Sequence, residues 1–330
     1  MKKKEFLGID VSKANVDVCL YLSKQQAVFG NSTRGFKKML VWIKKNQVDV
    51  KKLIICFEHT GMYSIPLQMF CEDQALDYVQ VSGLQVKRSL GIQRGKNDKV
   101  DAFRLSEYAY LFRDNLRLTK LESKQVLRLK HLLTIRSRLV RQRAGYKSSI
   151  KEYKMFLSLN KTDVMIKTQQ KMIHVLSTQI LEIESEIASL INHDQGIRQQ
   201  HQLATSVSGI GTISAAYMIA YTNCFKDFKA WRKFACFVGS APFEHSSGSS
   251  IHGKACVSHY ANKNIKAILT NAAKAAISHN PEIRQYYKRK IKEGKHKKVV
   301  VNNVRNKLIS RVFATVKRGT PCVELAQYAA

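Results

Sequence analysis

Four carboxylates stand where strands end or a helix begins: Asp10, Glu58, Asp98 and Asp101. Phe6 to Val11 is a short, largely apolar run of the kind buried on both faces of a sheet, and Asp10 lies near its C-terminal end. An aspartate there is costly to bury as an ion. It must pair with a cation, cap or hydrogen-bond backbone, or bind a metal. Leu53-Ile54-Ile55-Cys56-Phe57-Glu58 reads as a second buried strand, and it too ends in an acid. Asp98 and Asp101 share one face of a helix's first turn. Either alone is a helix N-terminal acid favoured by the macrodipole, but two such charges repel unless a cation sits between them. Metal binding is the reading that accounts for all four together, because open α/β sheets gather ligands at the C-terminal ends of their strands.

The surrounding pattern supplies the scaffold. Asn15-Val16-Asp17-Val18-Cys19-Leu20-Tyr21 alternates, which predicts a second strand paired back through a turn, and Gln26 to Gly30 predicts a third. Thr33 is expected to cap a helix from Arg34 to about Asn46, with Phe36, Met39, Leu40, Trp42 and Ile43 inward. A short helix through Leu67 and Phe70, a strand at 77–81, a helical stretch from Ser82 and a helix from Asp98 to about Phe112 follow. Hairpin, helix, strand, helix, strand, helix is the order of a ribonuclease-H-like α/β domain. His59 is expected to hydrogen-bond or pack, and Tyr108 and Tyr110 to lie in the core.

Composition narrows the partners. The chain has 330 residues with 56 Lys plus Arg against 24 acidic residues, a formal charge of +32. So large an excess in a folded chain of about two domains points to a polyanion, and nucleic acid is the usual one. An anionic membrane is the weaker alternative, since no apolar run reaches transmembrane length and no signal-peptide pattern is expected. The seven cysteines form no CxxC pair, which argues against zinc and a disulfide framework and for a reducing cytoplasm.

From about Leu121 to Ile191 the pattern becomes continuously helical. Leu129, Leu132, Leu139, Tyr146, Ile150, Tyr153 and Leu157 recur at 3–4 spacing, as do Ile173, Leu176, Ile180, Ile183, Ile187 and Leu190. A polar break at 160–163 predicts two antiparallel helices in a coiled-coil-like arm. Arg136 and Arg143 fall on its seam, while Arg138 and Arg141 belong to a basic face open to solvent or to nucleic-acid phosphate. Beyond it, Ser208-Gly209-Ile210-Gly211-Thr212 matches a helix-hairpin-helix turn, whose glycines place backbone N–H groups toward a phosphate. The stretch 244–250 reads as a polar Ser/Gly loop containing Ser246 and Ser247, with Lys254 beyond it, and helices follow to Lys317. The expected organisation is α/β plus α: a catalytic domain at 1–118, the arm at 119–195 and a mainly helical C-terminal domain at 196–330.

Together these segments resemble the DEDD-type insertion-sequence transposases of the one-ten family, which include Piv-like invertases and bridge-RNA-guided recombinases. The resemblance rests on GIDVSK at 8–13, FEHTG at 57–61, KNDKVDA at 96–102, SGIGTISA at 208–215 and PFEHSSG at 242–248. It implies a RuvC-like domain in which Asp10, Glu58, Asp98 and Asp101 hold Mg²⁺, or Mn²⁺ in its place. It also implies that Ser247, or else Ser246, attacks DNA to form a phosphoserine intermediate in a composite site. The implied partners are donor and target DNA, a structured noncoding guide RNA, and further copies of the chain as a dimer or tetramer. The implied setting is the cytoplasm and nucleoid of a prokaryote. The segment Val257-Ser258-His259-Tyr260-Ala261-Asn262 departs from the family's I-S-K-x-G-N. A RuvC-like junction endonuclease using water is the alternative enzyme, and an architectural nucleic-acid-binding protein the non-enzymatic one.

Overall fold

The computed structural model describes residues 5–91, 97–247 and 251–323; at 245, 247, 251, 252 and 254 it describes backbone only. Packing divides the chain into two units, 1–121 and 122–330.

The first unit is a five-stranded sheet with helices on both faces. Strands β1 (Glu5–Val11), β2 (Asn15–Leu20) and β3 (Gln26–Gly30) form an antiparallel meander. Then come α1 (Thr33–Lys45), β4 (Leu53–Glu58), α2 (Ile65–Asp73), β5 (Tyr78–Val81), α3 (Gly83–Ser89) and α4 (Asp98–Leu111). The sheet order is β3-β2-β1-β4-β5, with β4 parallel to both β1 and β5. Alternation along β1 explains the layers. Leu7, Ile9 and Val11 join Phe36, Met39, Ile43, Leu67 and Phe70 of α1 and α2 on one face. Phe6 joins Ile54, Cys56, Val79, Leu105 and Tyr108 on the other, the face covered by α4. Asp10 has the parity of Phe6 and Gly8, so the alternation turns it toward α4. The N-cap of α1 is Ser32, whose hydroxyl accepts from Gly35 N, and Thr33 is the first helical residue. Tyr108 is buried and Tyr110 half-buried.

The second unit is mainly helical. Helix α5 (Lys124–Phe156) and α6 (Val164–His193) run antiparallel, because Arg128, Arg136 and Arg143 reach Glu186, Glu184 and Ser177 in reversed order. The two seam arginines thus spend their charge and donors across the pair, Arg136 on Glu184 at 2.6 Å and Arg143 on Ser177 at 3.2 Å. Next are α7 (Gln195–Thr205), α8 (Thr212–Tyr221), α9 (Trp231–Val238), strands β6 (Pro242–Ser247) and β7 (Ile251–Val257), α10 (Lys263–His279), α11 (Pro281–Lys292) and α12 (Lys297–Arg318). One core takes in the start of α5, the end of α6 and the C-terminal helices: Val126, Leu129, Leu133, Ile187 and Ile191 join Tyr217, Phe234, Leu269 and Leu308. The buried Tyr217 hydroxyl donates to Leu133 O at 3.1 Å, tying α8 to α5. Of the stretch expected as a polar loop, 248–250 lie outside the described residues and 244–247 instead belong to β6, paired with β7 in an antiparallel hairpin with a register shift between Phe243 and His245. Its described residues are mostly exposed, so backbone pairing rather than burial defines these strands, and hydrophobic alternation had nothing to reveal. Among the described residues no helix is long and apolar enough to cross a membrane.

Candidate active site

Three neighbouring strands each present an acid on the α4 side of the first unit. Asp10 pairs in register with Asp17 of β2, and Glu58 of β4 follows Phe57, the partner of Ile9. The fourth and fifth acids come from α4, which starts at Asp98 because the Asn97 side chain accepts from Val100 N at 2.8 Å. Both Asp98 and Asp101 therefore fall in its first turn.

Glycine lets this helix come close. A Cβ on Gly8 would lie 2.0 Å from Ala102 O and 2.3 Å from Ser106 N, so α4 rests on bare backbone two residues before Asp10. Glu58 is accommodated in the same way: a Cβ on Gly83 would lie 2.1 Å from Glu58 Oε1. Neither glycine has a positive φ, so space and not backbone conformation is what these positions require.

Crowding of like charge is the electrostatic signature. Burial, followed by the charges of Asp101, Asp98, Asp17 and Glu58, pushes the Asp10 carboxyl up to about 6. Burial and the Asp98 charge likewise raise the Asp17 carboxyl, with Lys99 opposing. Asp101 turns to Arg104, at 2.9 Å. Among the described residues no three His, Cys, Asp or Glu side chains converge closely enough to hold one metal ion. The acids thus share a region and a field without closing on a single point. As a donor set they suit Mg²⁺ in kind, being hard oxygen ligands only. His59 is not among them; its Nδ1 accepts from Gly61 N at 3.2 Å. The sequence reading missed Asp17, Gly8 and Gly83 as site residues. Asp17's place in the alternating β2 run was its one available signal.

In the second unit, Ser246 is exposed on β6 and Ser247 is that strand's last residue, paired with Ile251. The side chains of Ser247 and Lys254, and Gly248 altogether, lie outside the described residues. Gly209 has φ +92°, and a Cβ there would lie 2.5 Å from Ala276 Cβ. It is thus packed on α10. Gly211 caps α8 with nothing near its Cβ position, which leaves that helix start open. Arg138 and Arg141 are both exposed on α5, Arg141 Nη2 donating to Asn264 Oδ1 at 3.5 Å.

Comparison with known proteins agrees with both halves. Residues 7–153 match the family model of the IS110-type DEDD transposases. Residues 201–288 match that of the transposase IS116/IS110/IS902 family. The chain is 25% identical over 324 residues to the pilin gene-inverting protein of Moraxella bovis, covering 96% of this chain and 97% of that one. The pilin gene-inverting protein of Moraxella lacunata is similar to the same extent. An uncharacterized 43.6 kDa protein of insertion element IS110 from Streptomyces coelicolor is 26% identical over 161 residues, 48% of this chain and 38% of that protein. Two successive domain matches to one group of transposases, and full-length relatives that rearrange DNA, lead to one conclusion: the chain belongs to the IS110 family of DNA transposases and recombinases.

Proposed function

We propose that this transposase cuts and rejoins DNA through a phosphoserine intermediate, with a carboxylate tetrad of Asp10, Glu58, Asp98 and Asp101 in a ribonuclease-H-like domain. The observation that carries the tetrad is the rise of the Asp10 carboxyl, to which each of the other three contributes. Those four side chains would hold Mg²⁺, which supplies charge stabilisation at a phosphate and a lowered pKa for an attacking hydroxyl. Asp101 would exchange its Arg104 partner for that role.

Ser247 takes the nucleophile's part, at the end of the β6 strand. Its Oγ attacks phosphorus, the P–O3′ bond breaks as the P–Oγ bond forms, and the hydroxyl proton passes to solvent or a neighbouring base. The 3′ oxygen leaves as a hydroxyl. Attack by a new 3′ hydroxyl on the phosphoserine reverses those bonds, so strands rejoin without ATP. The DNA inversion named for the Moraxella relatives requires this conservation of bond energy. A structured guide RNA, bound by the basic arm and C-terminal helices, is the further partner in this reading, and the charge of +32 supports it.

The test is to trap the protein–DNA adduct with nicked or suicide substrates and map it by peptide mass spectrometry. Wild type should yield an adduct at residue 247, and Ser247→Ala none. An adduct that survives in Ser247→Ala but not in Ser246→Ala moves the role by one residue. Metal-dependent cleavage with no adduct at all hands the function to a water-using endonuclease.

A further inference from the structure

The second unit buries a charge that the serine and the tetrad leave unused. Arg305 on α12 is 5% exposed. Its two partners are neutral: Nη1 donates to Asn302 Oδ1 and Nη2 to Thr270 Oγ1, each at 2.8 Å. Among the described residues the buried Arg305 Nε has no hydrogen-bond partner, and neither has the buried Asn306 Oδ1. Burial alone pulls this guanidinium below its ordinary pKa, with no carboxylate opposing it. The acids of the neighbouring helices are already taken, Glu282 by Arg311 and Glu293 by Lys290.

A second cation stands against the first. Lys266 lies on α10 one turn before Thr270, and burial followed by the Arg305 charge lowers its ammonium pKa. Its Nζ is 3.8 Å from where a Cβ of Gly239 would sit. Gly239 is the left-handed C-cap of α9, and Ser240 after it leads into β6. The Ser240 carbonyl accepts from Asn302 Nδ2 at 2.9 Å and from Asn306 Nδ2 at 3.0 Å. The cation pair therefore sits at the base of the β6–β7 hairpin.

Burying a guanidinium with no carboxylate beside it among the described residues is costly, and a lysine beside it adds repulsion. Bracing α12 against α10 would explain Nη1 and Nη2. It explains neither the orphan Nε nor the lysine. A phosphate approaching the more exposed Lys266 relieves the repulsion between the two cations, which bracing cannot, and the polyanion this chain handles is DNA.

We propose that Lys266 and Arg305 form a phosphate-binding site at the base of the β6–β7 hairpin, which takes one backbone phosphate of the DNA substrate. Lys266, the more exposed of the two, contacts the phosphate. Arg305 behind it fixes the local charge and, through Asn302, the Ser240 carbonyl from which the hairpin departs. The inference deepens the reading of that hairpin as the nucleophile's carrier, yet it requires only that the chain bind DNA.

Equilibrium binding of the full chain to duplex DNA across a salt series tests it, with Lys266→Gln, Lys266→Arg and, as the exposed comparator on the same helix, Lys274→Gln. Losing one phosphate contact should lower the slope of log affinity against log salt by about 0.9. A charge-assisted contact of this kind should also cost Lys266→Gln about tenfold in affinity. Lys266→Arg should restore both, and Lys274→Gln should change affinity less. Inorganic phosphate supplies a DNA-free arm: it should raise the Tm of wild type more than that of Lys266→Gln. The variant's own Tm should not fall below wild type, because repulsion from Arg305 has been removed. Wild-type affinity and slope in Lys266→Gln, or equal protection by phosphate, overturns the site. The readout is binding and not cleavage, so a wrong nucleophile assignment leaves this result readable.

Discussion

The two units hold like charges together in opposite senses. In the first, Asp17, Asp10 and Glu58 line up on three adjacent strands beneath Asp98 and Asp101, with Arg104 on Asp101 as the ion pair among them. In the second, Arg305 and Lys266 stand together with no carboxylate beside them among the described residues. Each arrangement stores repulsion that a ligand of opposite sign would discharge: a cation in the first, a phosphate in the second. They differ in how they are built. The acids ride on strand ends and one helix start, held close by glycines. The cations sit on two packed helices, Lys266 partly exposed and Arg305 buried and held by an amide and a hydroxyl. Adjustable side chains on a fixed backbone suit ligands that come and go during chemistry, whereas a buried guanidinium suits a fixed docking point.

The largest effect should come from lifting the helix that brings two of the acids. Gly8→Ala places a Cβ against the backbone of Ala102 and Ser106, which cannot rotate away. Overpacking of this kind should destabilise the fold by about 3 kcal/mol and reduce recombination to background. Urea unfolding and a plasmid inversion or excision assay measure the two parts. A variant that unfolds as wild type does would mean that α4 is free to shift, and the acid cluster would lose its rigid frame.

Gly83→Ala separates position from stability. The new Cβ meets only the carboxylate end of Glu58, a flexible group. Stability should therefore change by less than about 1 kcal/mol, while misplacing a reacting group costs activity by about a hundredfold. Unchanged strand cleavage in Gly83→Ala would remove Glu58 from the site.

How much of this was legible beforehand differs by unit for a physical reason. The acids were visible because the apolar runs of β1 and β4 and the polar start of α4 announce where strands end and a helix begins. The closeness of α4 was not, because a glycine acts there by lacking atoms and the consequence depends on which helix arrives. The serine hairpin was read as a loop, since its strands are mostly exposed and rich in Ser, Gly and His, without an apolar alternation to betray them. Arg305 and Lys266 are far apart in a chain full of basic residues, and nothing local distinguishes a buried cation from a solvated one. Sequence exposes sites built from secondary-structure periodicity, and hides those built from tertiary packing.

Asp10 offers a smaller effect with a definite sign. Its carboxyl is raised from 3.8 to about 6, so the native state holds that proton more tightly than the unfolded chain does. Between those values native protein binds more protons than unfolded protein, and stability falls as pH rises through the window. In metal-free buffer, Asp10→Asn should lack this loss and melt about 2–4 °C above wild type at pH 7, since solvent screening of a half-buried carboxyl reduces the effect to about 1 kcal/mol. The difference should vanish below pH 4. Strand cleavage by the same variant should be abolished at every pH. A variant less stable than wild type at pH 7 would mean that the Asp10 charge is paired in the fold rather than repelled.

The smallest effect should come from the solvent face of α5, and it distinguishes a buried cation site from a merely basic surface. Arg136 and Arg143 reach across to Glu184 and Ser177, so replacing either disturbs helix pairing as well as charge. Arg138 and Arg141 are exposed, with Arg141 making one long contact to Asn264, so they report on charge alone. Replacing both with Gln should leave the Tm within about 1 °C, as surface substitutions do. If this face contacts RNA or DNA, each residue should remove about 0.7–0.9 from the salt slope, with a uniform loss of affinity across sequences. Lys266→Gln should produce its loss from a single charge, and the double arginine variant must exceed it in slope to count as an interface. An unchanged slope would assign this face of the arm to solvent and leave the phosphate-binding role with Lys266 and Arg305.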